Sequence, residues 1–160
     1  LLGISKDLDG KCLALVAPFM VDAKSPLYGV RDVFNGIMVE GNMVGEVLFY
    51  GRGAGKLATA SAVVADIVEC AKNVGNNVPC LWKDAKVEMA AESEKVFSYF
   101  VRVDNKAKEE FMNAVEIDKK VNIAEAPYET GFVTKEMSED KFVEIIEKFG
   151  NNIINYVRMF

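Results

Sequence analysis

One apolar stripe, in residues 57–71, constrains the fold of this chain more than any other feature. Its apolar side chains recur three or four positions apart, the spacing of one face of an α-helix: Leu57, Ala60, Val63, Val64, Ile67, Val68 and Ala71. We therefore predict one long helix, closed by Gly75-Asn76-Asn77, because glycine and asparagine suit helix ends. The stripe is so apolar that we expect the helix to be clamped between other elements on more than one side.

The segment before this helix predicts a β-hairpin and then a glycine turn. Two β-prone runs, 34–40 and 44–50, flank a Gly-Asn pair of the kind that hairpin turns favour. The sequence Gly51-Arg52-Gly53-Ala54-Gly55 then leads into the helix. Glycines let a backbone approach a ligand closely, and a helix N-terminus attracts phosphate or a polarised carbonyl oxygen. The same glycines equally suit a tight strand-to-helix connection, so both interpretations stay open.

The remaining segments predict a strand over residues 10–20 that ends at Pro18 and, from residue 95 onward, the order βαββαβ. In the second region, strands are expected at 97–103, 121–124, 131–134 and 153–160. A helix is expected around 107–115, and another between Ser138, as its N-cap, and Gly150. Residues 76–94 combine chain breakers with charge and predict a linker, in which the large apolar surface of Trp82 is expected to anchor it to one domain.

The composition excludes several classes of function. The chain has no histidine, which removes the commonest general base and most zinc sites, and we find no metal constellation. Its net charge of -5 argues against a nucleic-acid surface. The cysteines, Cys12, Cys70 and Cys80, form no close pair, so we expect a reducing cytoplasm. No apolar run approaches the ~20 residues of a membrane span.

Residues 16–66 resemble homoserine dehydrogenases. The resemblance lies in Asn35-Gly36-Ile37, in Glu40-Gly41-Asn42, and above all in Phe49–Gly55 continuing through Thr59-Ala60-Ser61-Ala62-Val63. One departure is Ala58, where the family often has proline. The resemblance implies an α+β catalytic domain that also forms the dimer, with the glycine loop against NAD(P), so that Gly51, Gly53, Ala54 and Gly55 would bind the cofactor.

The family's catalytic machinery has no counterpart in this chain. The resemblance implies that the G-x-G-x-x-G unit and the catalytic lysine and acidic residues lie upstream; residues 51–55 lack the third glycine at the spacing of that motif. We assign no catalytic residue. NAD(P) belongs to the full-length parent, and the fragment alone is expected to bind no cofactor and to be inactive.

Residues 95–160 resemble an ACT-type regulatory domain in topology, length and position. ACT domains pair side by side and bind an amino acid at the interface. The resemblance implies that Asp104 and Asn105, in the turn after the first strand, would bind the ligand. The Pro-Gly usual in that turn is replaced here by other residues.

Together these features predict an α+β chain: a partial mixed or antiparallel sheet with a packed closing helix (1–75), a linker (76–94), and a βαββαβ, ferredoxin-like domain (95–160). The resemblances imply the C-terminal part of an NAD(P)-dependent homoserine dehydrogenase, serving subunit assembly and feedback sensing by threonine. We expect a cytoplasmic homo-oligomer, a dimer or larger, with no nucleic-acid or membrane partner. Three alternatives stay open: a self-sufficient amino-acid-binding module, a dimerisation piece that binds no amino acid, and part of another dehydrogenase with the same closing helix.

Overall fold

The structure is a computed structural model that describes residues 1–76, 79, 81–82, 84–122 and 124–160. Within that part the chain is a mixed α+β protein and divides into two compact units. The first unit joins Leu1–Asp22 to Lys86–Phe160, and the second is Ala23–Ala85. The unit boundaries after Asp22 and Ala85 differ from the predicted domain boundaries at 75 and 95. They differ because residues 1–22 pack with residues 86–160.

A hairpin begins the first unit. Strands β1 (Leu2–Leu8) and β2 (Lys11–Ala17) pair antiparallel around Asp9 and Gly10, whose φ angles of 53° and 89° suit a tight two-residue turn. The predicted strand over 10–20 is confirmed as β2, with its break at Pro18, whereas β1 was not predicted. Residues 88–90 run beside β2, where the Cys12 amide donates to the Glu88 carbonyl at 2.8 Å and the Ala90 amide donates to the Cys12 carbonyl at 2.9 Å. This part of the predicted linker is therefore held against β2 by hydrogen bonds.

The rest of the first unit has the predicted βαββαβ order, with two short extra strands. Its elements are β6 (Val96–Phe97), β7 (Tyr99–Asp104), α2 (Lys108–Ala114), β8 (Ile117–Val121), β9 (Glu129–Thr134), β10 (Met137–Ser138), α3 (Glu139–Phe149) and β11 (Ile153–Met159). Four of these strands form an antiparallel sheet in the order β11-β7-β9-β8, and β10 pairs with β6. The strand predicted at 121–124 lies further upstream, as β8, and Ile123 is outside the described residues.

A fifth strand joins this sheet from the N-terminal segment. Strand β3 (Phe19–Met20) pairs parallel with β11, and the Phe160 amide donates to the Met20 carbonyl at 3.0 Å. The chain immediately after Pro18 is thus part of the C-terminal sheet.

Both helices of the βαββαβ region pack on one face of the sheet. The alternating residues Tyr99, Val101 and Val103 of β7 are fully buried, as period-2 alternation predicts. They form one core with helix residues and with β9: Ala107, Phe111, Val115, Phe132, Met137, Phe142, Ile145 and Phe149. The helix stripes predicted around 107–115 and after Ser138 are confirmed.

The second unit is a hairpin and one helix. Strands β4 (Phe34–Gly41) and β5 (Gly45–Arg52) pair antiparallel, and α1 (Lys56–Lys72) follows. The predicted hairpin and helix are confirmed, although the helix ends at Lys72, ahead of Gly75 with its φ of 86°.

The expectation that α1 is clamped on several sides is wrong for this chain. Among the described residues of 23–85 none is buried, and the stripe residues Leu57 and Ile67 are 85% and 61% exposed. The physical reason is that a two-stranded ribbon offers too little surface to cover a 17-residue helix. Trp82 is also exposed, so the expected anchoring of the linker by this residue is wrong as well.

Candidate functional site

The glycine loop connects the end of β5 to the first turn of α1. Gly55 is the N-cap of the helix with a φ of 117°, a conformation that favours glycine. No side chain caps this end, and the first turn accordingly offers backbone N–H groups without a side-chain acceptor. Thr59 and Ser61 stand near the helix start, as the sequence shows, but neither hydroxyl provides the cap. Residues 51–55 are all exposed.

The four predicted cofactor-binding positions play different parts in this loop. A Cβ at Gly53 would lie 1.9 Å from Nδ2 of Asn35, so the absent side chain of Gly53 makes room for Asn35. The Gly53 amide also donates to the Val33 carbonyl at 3.3 Å. At Gly51 and Gly55, by contrast, a Cβ would meet no atom within 4 Å. Gly53 and Gly55 are therefore both needed for the loop itself, Gly53 for space and Gly55 for its φ angle, and Gly51, exposed Ala54 and Gly55 leave a surface that a ligand can approach.

Arg52 is the charged residue of this loop. Its guanidinium carbon is 5.3 Å from the centre of the Phe34 ring, which stacks on the Tyr50 ring at 4.9 Å. A cation held over an aromatic face is stabilised by the ring quadrupole. Arg52 is thus positioned at the end of β5 on the half-buried Phe34 ring, which stacks on exposed Tyr50.

The second predicted site, Asp104 and Asn105, is the turn between β7 and α2. The Lys106 amide donates to Oδ1 of Asp104 at 2.9 Å, which closes the turn. Nδ2 of Asn105 donates to the Pro127 carbonyl at 2.8 Å, and its Oδ1 accepts from the hydroxyl of buried Thr130 at 2.7 Å. Both ends of the Asn105 amide therefore hold the turn against the start of β9.

An ion pair beside this turn was missed by the sequence analysis. Arg102 donates through Nε and Nη2 to the carboxylate of Glu129 at 2.6–3.0 Å. Asp104 and Glu129 face each other across β7 and β9. The guanidinium thus offsets the repulsion between two neighbouring carboxylates. Arg102 alternates with buried valines in β7, so the sequence could predict which face of the strand it occupies. The sequence could not predict its partner Glu129.

A second missed cluster is buried near the start of α3. Glu139 is 7% exposed and forms an ion pair with Arg158 of β11. Burial opposes the charge of Arg158, but the hydrogen bond and charge of Glu139 outweigh it, so the pKa of Arg158 is raised. Burial, followed by the negative charge of Glu139, raises the pKa of the Tyr99 hydroxyl well above its usual value. That hydroxyl is buried and makes no hydrogen bond with the described residues.

The described residues contain no group of three or more histidine, cysteine, aspartate or glutamate side chains that could hold a metal ion. No helix in that part of the chain is long and apolar enough to cross a membrane.

Comparison with known proteins decides the family. Residues 2–68 match the sequence profile of homoserine dehydrogenases. The homoserine dehydrogenase of Neisseria gonorrhoeae is 40% identical over 115 residues, 66% of this chain and 26% of that protein. The homoserine dehydrogenase of Mycobacterium bovis is 35% identical over 121 residues, 72% of this chain and 27% of that protein. The chain belongs to the homoserine dehydrogenase family. It spans about a quarter of the length of these relatives.

Solved homoserine dehydrogenases share the fold beyond the matched residues. The enzyme of Thiobacillus denitrificans superposes with a TM-score of 0.77 at 22% identity, over 99% of this chain and 41% of that one. The enzyme of S. aureus at pH 7.5 superposes with a TM-score of 0.70 at 26% identity, over 99% of this chain and 40% of that one. The C-terminal βαββαβ region, which lies outside the matched segment, therefore also has the fold found in these solved enzymes.

Proposed function

We propose that this chain is the C-terminal part of an NAD(P)-dependent homoserine dehydrogenase, which interconverts aspartate semialdehyde and homoserine. The observation that carries the proposal is the family match over residues 2–68, which ends within the helix that follows the glycine loop. In this reaction a hydride and a proton are added to the aldehyde carbon and oxygen of aspartate semialdehyde, which gives the alcohol. Nothing in the chain is assigned to the proton transfer, so activity requires the rest of the enzyme.

The glycine loop fits the cofactor. The open surface at Gly51 and Gly55, together with the uncapped N-terminus of α1, suits a polar or anionic part of a dinucleotide. When bound, NAD(P)H supplies the hydride. The chain's own contribution is the backbone of residues 51–55, which lies close to the ligand and donates hydrogen bonds to it.

The exposed apolar surface of the second unit supports a role in assembly. In the α1 stripe Leu57, Val63, Val64 and Ile67 are more than half exposed, as are outward residues of the hairpin such as Ile37 and Phe49. Surfaces of this kind are normally covered by another part of a protein or by a second subunit. We infer that they join the rest of the enzyme and its dimer partner, in the cytoplasm.

The βαββαβ region supports regulation by an amino acid. Its sheet order β11-β7-β9-β8 is that of a ferredoxin-like domain, the topology shared by ACT domains. We propose an ACT-like regulatory domain that senses threonine. The alternative, a structural domain that binds no amino acid, is favoured by one observation: the Asn105 amide is already occupied by Pro127 and Thr130.

The direct test of the enzyme is aspartate-semialdehyde-dependent oxidation of NAD(P)H by the full-length protein, with the isolated chain as the inactive reference. Gly51→Ala tests the loop, because the chain itself leaves open space for the added methyl group. We expect a KM for NAD(P)H raised about tenfold, while Gly29→Ala, which also meets no atom within 4 Å, leaves KM unchanged. An unchanged KM for NAD(P)H in Gly51→Ala would show that the loop is not part of the cofactor site.

Threonine sensing is tested separately by a thermal-unfolding titration of the full-length enzyme. A ligand at 100 times its dissociation constant adds about 2.7 kcal/mol of stability, which shifts the midpoint by several degrees. A saturable shift with threonine supports the sensor. No shift with threonine or any other amino acid favours the structural alternative.

A further inference from the structure

A cleft of about 470 Å³ opens in the first unit between the end of α2, the end of β9 and the first turn of α3. Volumes of ~300–1,000 Å³ are typical of sites for small molecules. The cleft lies at the opposite end of β9 from the Asp104 turn, because Asp104 pairs with Glu129, the first residue of β9, and the cleft contains Thr134, its last. Glu129 and Thr134 are five residues apart along β9, which places them ~17 Å from each other.

The floor of the cleft is apolar, with one polar group. Val115, Met137 and Ile145 are each at most 9% exposed. Thr134 is 1% exposed, and its Oγ1 accepts the Tyr99 amide hydrogen at 3.0 Å. The hydroxyl proton of Thr134 makes no hydrogen bond with the described residues, so one buried donor is left for a ligand.

The rim of the cleft carries charges of both signs. Lys135 is 3.4 Å from Glu116 in an exposed ion pair. Lys141, Asp118 and Glu136 also line the cleft, and in the described part of the chain no ion pair engages them. With three carboxylates against two ammonium groups, the rim disfavours a phosphate or a dinucleotide. It suits a molecule that has both an ammonium and a carboxylate group.

We propose that this cleft, and not the Asp104 turn, binds a free amino acid as its zwitterion. Lys141 pairs with the ligand carboxylate, Asp118 and Glu136 attract its ammonium group, and the ligand side chain lies on the apolar floor. A hydroxyl on that side chain accepts the proton of Thr134. The inference rests on the proposed amino-acid sensing and assigns it a place.

The test is isothermal titration calorimetry of L-threonine, L-serine and L-valine into the full-length enzyme and its variants. Lys141→Gln removes the cation of the cleft, and Lys148→Gln is its matched control, an exposed lysine of the same helix outside the cleft. Ala114→Phe fills the cleft from the exposed end of α2. We expect the Kd to rise about tenfold in Lys141→Gln, less than twofold in Lys148→Gln, and binding to be lost in Ala114→Phe.

The remaining outcomes separate the cleft from the sensing function. If Lys141→Gln and Ala114→Phe bind as the wild type does while Asn105→Ala does not, the site is the Asp104 turn and the cleft assignment is overturned, but sensing stands. If the wild type binds none of the three amino acids, the cleft assignment fails together with the proposed sensing by threonine.

Discussion

Phe19 and Arg158, 139 positions apart in the sequence, are direct partners in the parallel strand pair of β3 and β11. The Phe19 ring packs edge-on against Phe97 at 5.7 Å and Phe160 at 6.3 Å. Phe19 lies in the segment that matches the family profile, and its three partners lie beyond that segment. The N-terminal segment is therefore held to the C-terminal sheet by one aromatic side chain and a two-residue strand.

Phe19→Ala is expected to loosen this attachment. Truncation of a fully buried phenylalanine costs about 3–5 kcal/mol, and half-buried Phe19 should cost about 2 kcal/mol. The Phe160 amide, which donates to Met20, should then exchange its hydrogen about thirtyfold faster in native-state hydrogen exchange. Tyr128→Ala removes an exposed ring and should leave that exchange rate unchanged. Equal protection in both variants would show that Phe19 does not hold β3.

Glu139→Gln is expected to destabilise the first unit by about 2 kcal/mol. The change leaves Arg158 partly buried without its anionic partner, and a broken buried pair costs more than the intact pair contributes. Glu144→Gln, on an exposed face of the same helix, should change the stability by less than about 0.5 kcal/mol. The measurement is the midpoint of urea denaturation. Similar midpoints in the two variants would contradict a structural role for the pair.

Tyr99→Phe is expected to be neutral or stabilising at neutral pH, by up to about 1 kcal/mol, because it removes a buried hydroxyl without a hydrogen-bond partner. Above pH ~10 the unfolded chain releases the tyrosine proton, whereas the folded state keeps it, because burial and Glu139 raise the pKa of Tyr99. The wild-type stability is therefore unaffected by this group below that pH and falls as pH rises above it, because deprotonation then favours the unfolded chain. The wild type should lose up to about 1.4 kcal/mol per pH unit more than Tyr99→Phe. Parallel stability curves between pH 9 and 11 would refute this.

Asn105→Ala is expected to destabilise the β7–α2 turn by about 1–3 kcal/mol, because it leaves the buried Thr130 hydroxyl and the Pro127 carbonyl without their partner. Lys106→Ala, at the next and exposed position, should have little effect. Thermal denaturation of both variants measures the difference. A neutral Asn105→Ala would mean that the amide is free to serve a ligand instead.

The elements that local periodicity specifies could be predicted from the sequence. The alternation of Tyr99, Val101 and Val103 identifies β7 and the core face, and the stripe that begins at Leu57 identifies α1. The short partner strands could not be predicted. Strand β1 interrupts its alternation with charge, and β3 pairs with β11 through only two residues, which leaves no local signal. Strand β8 is displaced because its pairing with β9, as between Ile117 and Thr134, decides its position.

The chemistry of the candidate sites was only partly predictable, for the same reason. The glycine loop is a local motif, and its sequence points to the correct turn between β5 and α1. Glu139 looks like a carboxylate at an exposed helix start, yet Arg158 from the last strand turns it into half of a buried pair. The cleft at Thr134 and Lys141 brings together three elements, so no single stretch of sequence could reveal it.

We propose that this chain completes a homoserine dehydrogenase whose catalytic residues lie elsewhere in the protein. Fragment complementation tests it most directly: the remainder of the enzyme is produced alone or together with this chain, and aspartate-semialdehyde-dependent oxidation of NAD(P)H is measured. We predict activity only when both parts are present, because the exposed stripe of α1 must be covered and residues 51–55 must reach the cofactor. Full activity of the remainder without this chain would contradict the account.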